Sequence, residues 1–162
     1  YQWGEHELTD KRWAYETSIR VPFVMRLPDG DHRGTRNSRL IANVDVAATF
    51  LDAAGLEPPD YMEGQSLIRL LNDPAIDWRE TFLYSYFFEP PYPTPTSFAL
   101  ISERFKLIET DWQGFELYDL HNDPEEQNNL AKSQQFAETL ADLAAQLQRE
   151  KQITSGQAAA KR

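Results

Sequence analysis

Gly4-Glu5-His6-Glu7-Leu8, then Lys11, Tyr15-Glu16 and Ile19-Arg20-Val21-Pro22, leading into Phe23-Val24-Met25-Arg26-Leu27, is the stretch that decides how this chain is read. A dense polar segment holding one lysine, one histidine and the aromatics Trp3, Trp13 and Tyr15 runs straight into an apolar run, Val21 to Leu27. That mixture suits the rim of an anion-binding pocket. Pro28-Asp29-Gly30 stops the apolar run with a turn signal. The run itself reads as a largely buried strand, with Pro22 near its start, where a missing N–H is tolerated.

Outward from there, residues 28–39 are polar and read as a surface loop. A helix is expected from Asn43 or Asp45 to Ala54, presenting Val44, Ala47, Phe50, Leu51 and Ala54 on one face. Gly55 suits a C′ position and Pro58-Pro59 block continuation. Gly64 to Leu71 reads as one or two helical turns that plug Leu67, Leu70 and Leu71 into a core. Thr81–Phe88, Ser97–Ser102, Arg104–Thr110 and Phe115–Leu120 read as strands of a small antiparallel sheet. The tract 89–96 holds four prolines and suits neither a helix nor a central strand. Asp123 and Pro124, with Glu126 at capping-box spacing, read as a helix start. After a break near 128–133, the stripe Phe136, Leu140, Leu143, Leu147 predicts a helix packed on the sheet. Residues 153–162 are expected to be a disordered tail.

The 162 residues suffice for a real core, and an apolar content of 41% with nine Phe, seven Tyr and four Trp argues for a folded protein. There is no Cys, which excludes disulfides, thiolate zinc sites and a cysteine nucleophile within this chain. No run approaches the roughly 18 apolar residues of a membrane span. The net charge of −10 is uneven: residues 1–40 carry seven Lys/Arg against six Asp/Glu, and residues 41–162 carry nine against twenty. An acidic body is a poor general binder of nucleic acid, while the start can still hold an anionic group. With its first Met at position 25, Tyr1 reads as a product of processing or truncation.

On residue type, Lys11 has two readings. It can place a compact positive charge where a sulfate or phosphate ester develops negative charge. It can equally be a solvated lysine whose stem lies over Trp13 or Tyr15, the commoner fate. His6 can donate to an anion or act as a general acid, or be a loop histidine bonded to backbone. Tyr92 and Thr94, on the proline frame of 89–96, either form a rigid binding rim or belong to a plain connector. His32 and His121 read as turn residues. The three His lack ligand spacing for zinc, and Asp29/Asp31 and Asp119/Asp123 lack the alternation of a calcium loop.

Taken in order, these pieces resemble the sulfatase family. The segment G-E-H-x-L-x-x-K-x-x-x-Y-E-x-x-I-R-V-P is similar to the one following that family's second pair of metal ligands. Asn43-Val44-Asp45 through Thr49, with Leu51-Asp52 and Ala54-Gly55, is similar to N-V-D-x-x-P-T-x-L-D-x-A-G, with Ala48 in place of the usual proline. Gly64-x-Ser66-Leu67-x-x-Leu70-Leu71 is similar to G-x-S-L-x-x-L-L. Arg104-Phe105-Lys106-Leu107-Ile108, Glu116-Leu117-Tyr118-Asp119-Leu120 and Asp123-Pro124-x-Glu126-x-x-Asn129-Leu130 resemble the family's close.

The resemblance implies an α/β (α+β) fold: the tail of an alkaline-phosphatase-like α/β domain over residues 1–80, then a small domain of antiparallel sheet and packed C-terminal helix over 81–152. It implies that Lys11 is catalytic, contacting the sulfate, with His6, Tyr92 and Thr94 at the substrate pocket. It also implies a calcium ion and a formylglycine nucleophile in the full-length protein, neither of whose motifs occurs here, so no turnover is expected from this chain alone. Expected partners are a sulfated small molecule or glycan and the remainder of the sulfatase, in a periplasmic or extracellular space. A phosphodiesterase or phosphonate hydrolase of the same superfamily, or a non-catalytic module binding glycan or a partner chain, would share much of this pattern.

Overall fold

The computed structural model describes residues 1–27 and 30–160. The chain divides into two units, Tyr1–Pro22 together with the chain from Thr81 onward, and Phe23–Glu80. The first 22 residues thus pack with the C-terminal sheet, whereas a division at residue 80 would place them with the segment that follows them. Pro28 and Asp29, at the expected turn, and Lys161 and Arg162, in the expected tail, lie outside the described residues.

In the first unit, β1 (Thr81–Tyr86), β2 (Ser97–Ser102), β3 (Phe105–Thr110) and β4 (Gly114–Asp119) form one antiparallel sheet in sequence order. These bounds match the expected strands to within two residues. Strand periodicity sorts the side chains onto two faces. Leu83, Leu100, Leu107 and Leu117 are cross-strand neighbours, Leu83 facing Leu100, Leu100 facing Leu107, and Leu107 facing Leu117. This face is covered by Phe136, Leu140, Leu143 and Leu147, the last entirely buried. The stripe belongs to a 3₁₀ turn, Gln134–Phe136, and α4, Ala137–Ala160. The helix therefore continues past Ile153, where the tail was expected to begin. Each buried Leu contributes about 1.5–3 kcal/mol of burial, so this two-layer contact dominates the unit.

The opposite face buries Ala99, Ile101, Lys106, Ile108, Glu116 and Tyr118. Residues 14–16 lie against it. The Lys106 ammonium, with no exposed surface, sits 2.7 Å from Glu16 Oε1 and 2.7 Å from Glu126 Oε1, and donates to the Ala14 carbonyl at 2.9 Å. The other oxygen of Glu126 accepts the Glu16 backbone N–H at 2.6 Å, at the start of the four-residue helix α1, Glu16–Ile19. Beside this cluster the Tyr15 and Tyr118 hydroxyls both donate to Glu116 Oε2, at 2.9 and 2.6 Å. Burial, reinforced by the Glu116 carboxylate, pushes both phenols up.

The Asp123–Glu126 segment does not start a helix. Asp123 instead accepts the backbone N–H groups of Gln127 and Asn128, at 3.0 and 2.8 Å. Glu126 takes a left-handed backbone, φ 57°. The demand that overrides the capping pattern is the buried cation: Glu126 turns inward to meet Lys106.

The second unit holds α2 (Val44–Ala53) and α3 (Leu67–Asn72). Gly55 has φ 72°, the left-handed C′ position expected after α2. The buried face of α2 is not the expected apolar one. Asp45, Ala48 and Thr49 are buried, while Val44 is 48% and Phe50 71% exposed. The cause is the Asp45 carboxylate, which accepts both arms of the Arg79 fork at 2.5 Å and the backbone N–H groups of Ala42 and Gln65 at 2.8 and 2.9 Å. Thr49 joins in, donating to the Asp45 carbonyl at 2.7 Å and accepting from Leu67 N at 3.0 Å. Ser66 caps α3 through Ile68 N at 3.2 Å and donates to Asp52. Gly64 is obligatory here, since a Cβ on it would lie 2.0 Å from the Val44 carbonyl oxygen. Leu67, Leu70 and Trp78 form the small core, with Met25, Ile41 and Ile76 against it.

The strand expected over Val21–Leu27 does not form. A strand needs a hydrogen-bonding neighbour, and none of the described residues pairs with this run. Val24 is left 94% exposed.

Two outcomes follow from the buried ion pairs. Lys106→Met is expected to lower unfolding free energy by about 3–5 kcal/mol, because the buried Glu126 and the half-buried Glu16 lose their cation. Lys106→Met combined with Glu126→Gln should recover part of that loss. Urea denaturation of the single and double variants checks it, and additive losses would mean the groups are not coupled. For Asp45, burial alone would raise the pKa, but the Arg79 fork and the two backbone donors hold it below its ordinary value. Its stabilisation is therefore complete above about pH 5 and lost as the pH falls below about 4, through the lowered folded pKa. Denaturation midpoints across that range should drop more steeply for the wild type than for Asp45→Asn.

Candidate functional site

The candidate site lies in the first unit, on the segment that precedes the Lys106 clasp. Residues 2–10 close a tight loop: Gln2 N donates to the Asp10 carbonyl and Gly4 N to the Leu8 carbonyl, each at 2.9 Å. Inside it, His6 and Glu7 take left-handed conformations, φ 52° and 60°, after Gly4 at φ 126°. Two consecutive non-glycine residues in that region are strained, and such strain gathers where a side chain must be aimed. The His6 ring stacks on Tyr15, centroids 3.9 Å apart and planes 7° from parallel. Since Tyr15 is itself fixed by Glu116, the imidazole rests on a platform built by the sheet. Its Nε2 is buried and has no hydrogen-bond partner among the described residues.

Lys11 is exposed. Its backbone N–H donates to Asp10 Oδ1 at 2.6 Å, which fixes the main chain and leaves the ammonium outside that bond. Asp10 also binds Arg12, whose Nη1 lies 2.7 and 2.5 Å from the two carboxylate oxygens. The Arg12 side chain holds the Asp10 carboxyl below its ordinary range. The Tyr84 hydroxyl donates to the Arg12 carbonyl at 3.2 Å. Burial pushes that phenol up to about 12.

Tyr92 meets this segment. Its ring lies under the Arg12 guanidinium, 3.5 Å from carbon to centroid, so the proline tract packs beside Lys11 through the adjacent residue. Thr94 is only 2% exposed and offers nothing to an open surface. The structure therefore joins Tyr92 to the lysine segment and sets His6 on the Tyr15 platform, but buries Thr94.

Residue typing missed Arg12, Asp10 and the ionic core of Lys106, Glu16 and Glu126. The signal was present for the latter: a lysine on a strand otherwise made of apolar residues must be paired if buried. A cleft of about 420 Å³ lies in the other unit around Trp78 and Arg79, where Arg79 is already committed to Asp45. Among the described residues no group of three His, Cys, Asp or Glu side chains is placed to hold a metal ion. The described residues do not by themselves fit a calcium site. No described helix is long and apolar enough to cross a membrane.

Comparison with known proteins identifies the lineage. The family described as N-sulphoglucosamine sulphohydrolase, C-terminal, matches residues 4–153. The N-acetylglucosamine-6-O-sulfatase of Bacteroides thetaiotaomicron is 36% identical over 147 residues, covering 86% of this chain and 26% of that protein. A solved structure of a protein in complex with its substrate D-glucosamine-2-N,6-O-disulfate superposes with TM-score 0.83 at 35% identity, over 92% of this chain and 31% of that one. A phosphonate monoester hydrolase from Silicibacter pomeroyi superposes with TM-score 0.56 at 27% identity, over 67% of this chain and 24% of that one. This chain thus spans about a quarter to a third of the length of these relatives. The sheet-and-helix unit is the mixed α and antiparallel β architecture expected beside an alkaline-phosphatase-like domain. By this match along nearly its whole length, the chain belongs to the sulfatase family, within the C-terminal family described as N-sulphoglucosamine sulphohydrolase, C-terminal.

Proposed function

We propose that this chain is the C-terminal region of a sulfatase that hydrolyses the sulfate ester of an amino sugar, and that it supplies one wall of the active site. The observation that carries this reading is the 36% identity to an N-acetylglucosamine-6-O-sulfatase, aligned with a segment that presents Lys11 on a clamped backbone. In this reading the Lys11 ammonium contacts the sulfate and opposes the negative charge that grows on its oxygens as the ester bond breaks. His6, on its Tyr15 platform, lines the same pocket and can donate a proton or hydrogen bond to the leaving oxygen. In this reading the nucleophile, a formylglycine, and a calcium ion would belong to other parts of the full-length protein. There they would supply the nucleophile and neutralise charge, while Lys11 and His6 of this chain would bind and orient the ester.

The phosphonate hydrolase likeness supports a second reading, in which the same wall faces a phosphorus ester. Lys11 would serve either anion, so substrate ratios must decide. In the full-length enzyme, Lys11→Ala is expected to lower kcat/KM for glucosamine 6-sulfate roughly 10²–10³-fold, the usual loss when one charge-stabilising donor is removed. The wild type should prefer that ester to a phenyl phosphonate. The opposite preference would move the assignment to phosphorus esters. Sulfate release by purified residues 1–162 alone would overturn the view that the catalytic groups lie elsewhere.

A further inference from the structure

Residues 31–39, Asp-His-Arg-Gly-Thr-Arg-Asn-Ser-Arg, carry a charge opposite to that of the chain after them. Three arginines stand here against the single carboxylate of Asp31, whereas residues 40–80 hold two arginines against eight Asp and Glu. Every residue from Asp31 to Arg39 is exposed. Elsewhere Arg12, Arg20, Arg69, Arg79 and Arg104 each reach a carboxylate. Among the described residues, Arg33, Arg36 and Arg39 form no such ion pair. An acidic chain has ample carboxylates with which to neutralise a surface arginine, so this stretch is a local departure from its own surroundings.

The loop is also shaped. Gly30, His32 and Gly34 take left-handed backbone, φ 74°, 58° and 72°, which coils the chain tightly ahead of Arg36. Thr35 ties back to the His32 carbonyl through its backbone N–H at 3.2 Å and its hydroxyl at 2.7 Å. His32 Nε2 lies 3.0 Å from Asn72 Oδ1, at the end of α3. Arg39 Nη2 donates to the Pro74 carbonyl at 3.3 Å, and its backbone N–H donates to Asn37 Oδ1 at 2.9 Å. Arg33 folds back over Gly30, where a Cβ would collide with its guanidinium. The arginines thus sit on a loop pinned at two points to the end of α3 and the residues after it, so less ordering entropy is lost when they bind.

A guanidinium fork matches a face of a sulfate or phosphate group with two parallel hydrogen bonds. A single small anion uses one fork, whereas three on one loop suit a chain that carries several anionic groups. Nucleic acid is disfavoured, since residues 31–39 hold no Phe, Tyr or Trp on which a base could stack. An anionic membrane is disfavoured too, because the stretch has no apolar side chain to enter the interface. A hydrophilic sulfated polysaccharide meets both conditions.

We propose that Arg33, Arg36 and Arg39 form a docking site for a sulfated glycan chain. This rests on the sulfatase reading above and deepens it: the substrate is a polymer, and this loop holds sulfated rings along it by charge.

The test uses the full-length enzyme and heparin, a densely sulfated glucosamine polymer. Arg33→Gln combined with Arg36→Gln is compared with the wild type by titration calorimetry in rising salt, and by hydrolysis of free glucosamine 6-sulfate. The double variant should bind heparin roughly tenfold or more weakly, the loss expected for two charge-assisted contacts, and with a shallower salt dependence. Its kcat/KM on glucosamine 6-sulfate should stay at the wild-type value. Arg36→Glu, at a side chain with no hydrogen bond or ion pair among the described residues, should reproduce most of the loss at an unchanged melting temperature, which separates binding from folding. Unchanged heparin affinity in both variants would overturn the inference and leave the sulfatase reading intact. Wild-type binding to duplex DNA or to phosphatidylserine vesicles as tight as to heparin would also overturn it, assigning the loop to another polyanion. Heparin affinity that falls in the variants, with no sulfate released from glucosamine 6-sulfate by the wild type, would overturn the sulfatase reading and leave the docking site standing.

Discussion

One buried ammonium organises the first unit. Lys106 stands on a central strand with no solvent to solvate it, so its charge must be met by protein oxygens or the fold fails. The oxygens come from two places far apart in sequence: Glu16, just after the lysine-bearing segment, and Glu126, just after the last strand. Because the ion pairs are satisfied only when both are in place, they act as a registration device. They fix how the N-terminal segment crosses the sheet, and so where Lys11, Arg12 and the Tyr15 platform stand. A hydrophobic contact of the same area would hold the segment but let it slide.

The two faces of the sheet do different work. The face under α4 is a plain leucine layer, non-directional and stabilising in proportion to the area buried. The opposite face carries Lys106, Glu116 and Tyr118: Lys106 bonds Ala14, Glu16 and Glu126, Glu116 accepts from Tyr15, and Tyr118 donates to Glu116. Position is thus supplied by directional bonds on one side and cohesion by apolar packing on the other. The second unit repeats the device in miniature, with Asp45 gathering Arg79 and two backbone donors. There the charged hub determines which face of α2 turns inward, against its apolar stripe.

This contrast explains what could be read from the sequence. The four strands and the α4 stripe were legible because period-2 and period-3.6 patterns report local geometry and a single buried face. Three features were not. Val21–Leu27 has the composition of a strand, but a strand exists only with a neighbour, and composition does not reveal whether one is within reach. The α2 face and the Asp123–Glu126 turn were misread for a common reason. In each, a buried charge outweighs local preference, and its partner lies more than 15 residues away. The site was partly legible: Lys11 and Tyr92 stood out by residue type, while Arg12 gained meaning only when the proline tract folded back onto it.

The long loop closed by the Lys106 clasp also sets a temporal order. Glu16 meets Glu126 across 110 positions of chain and Lys106 meets the Ala14 carbonyl across 92. During synthesis the lysine-bearing segment therefore emerges well before anything that can anchor it, and it waits until the last strand and the turn after it have left the ribosome. A shortened polypeptide ending before Glu126 would contain every residue of the proposed wall and still lack its shape. Lesions near the C-terminus can thus silence the far end of the chain without touching it.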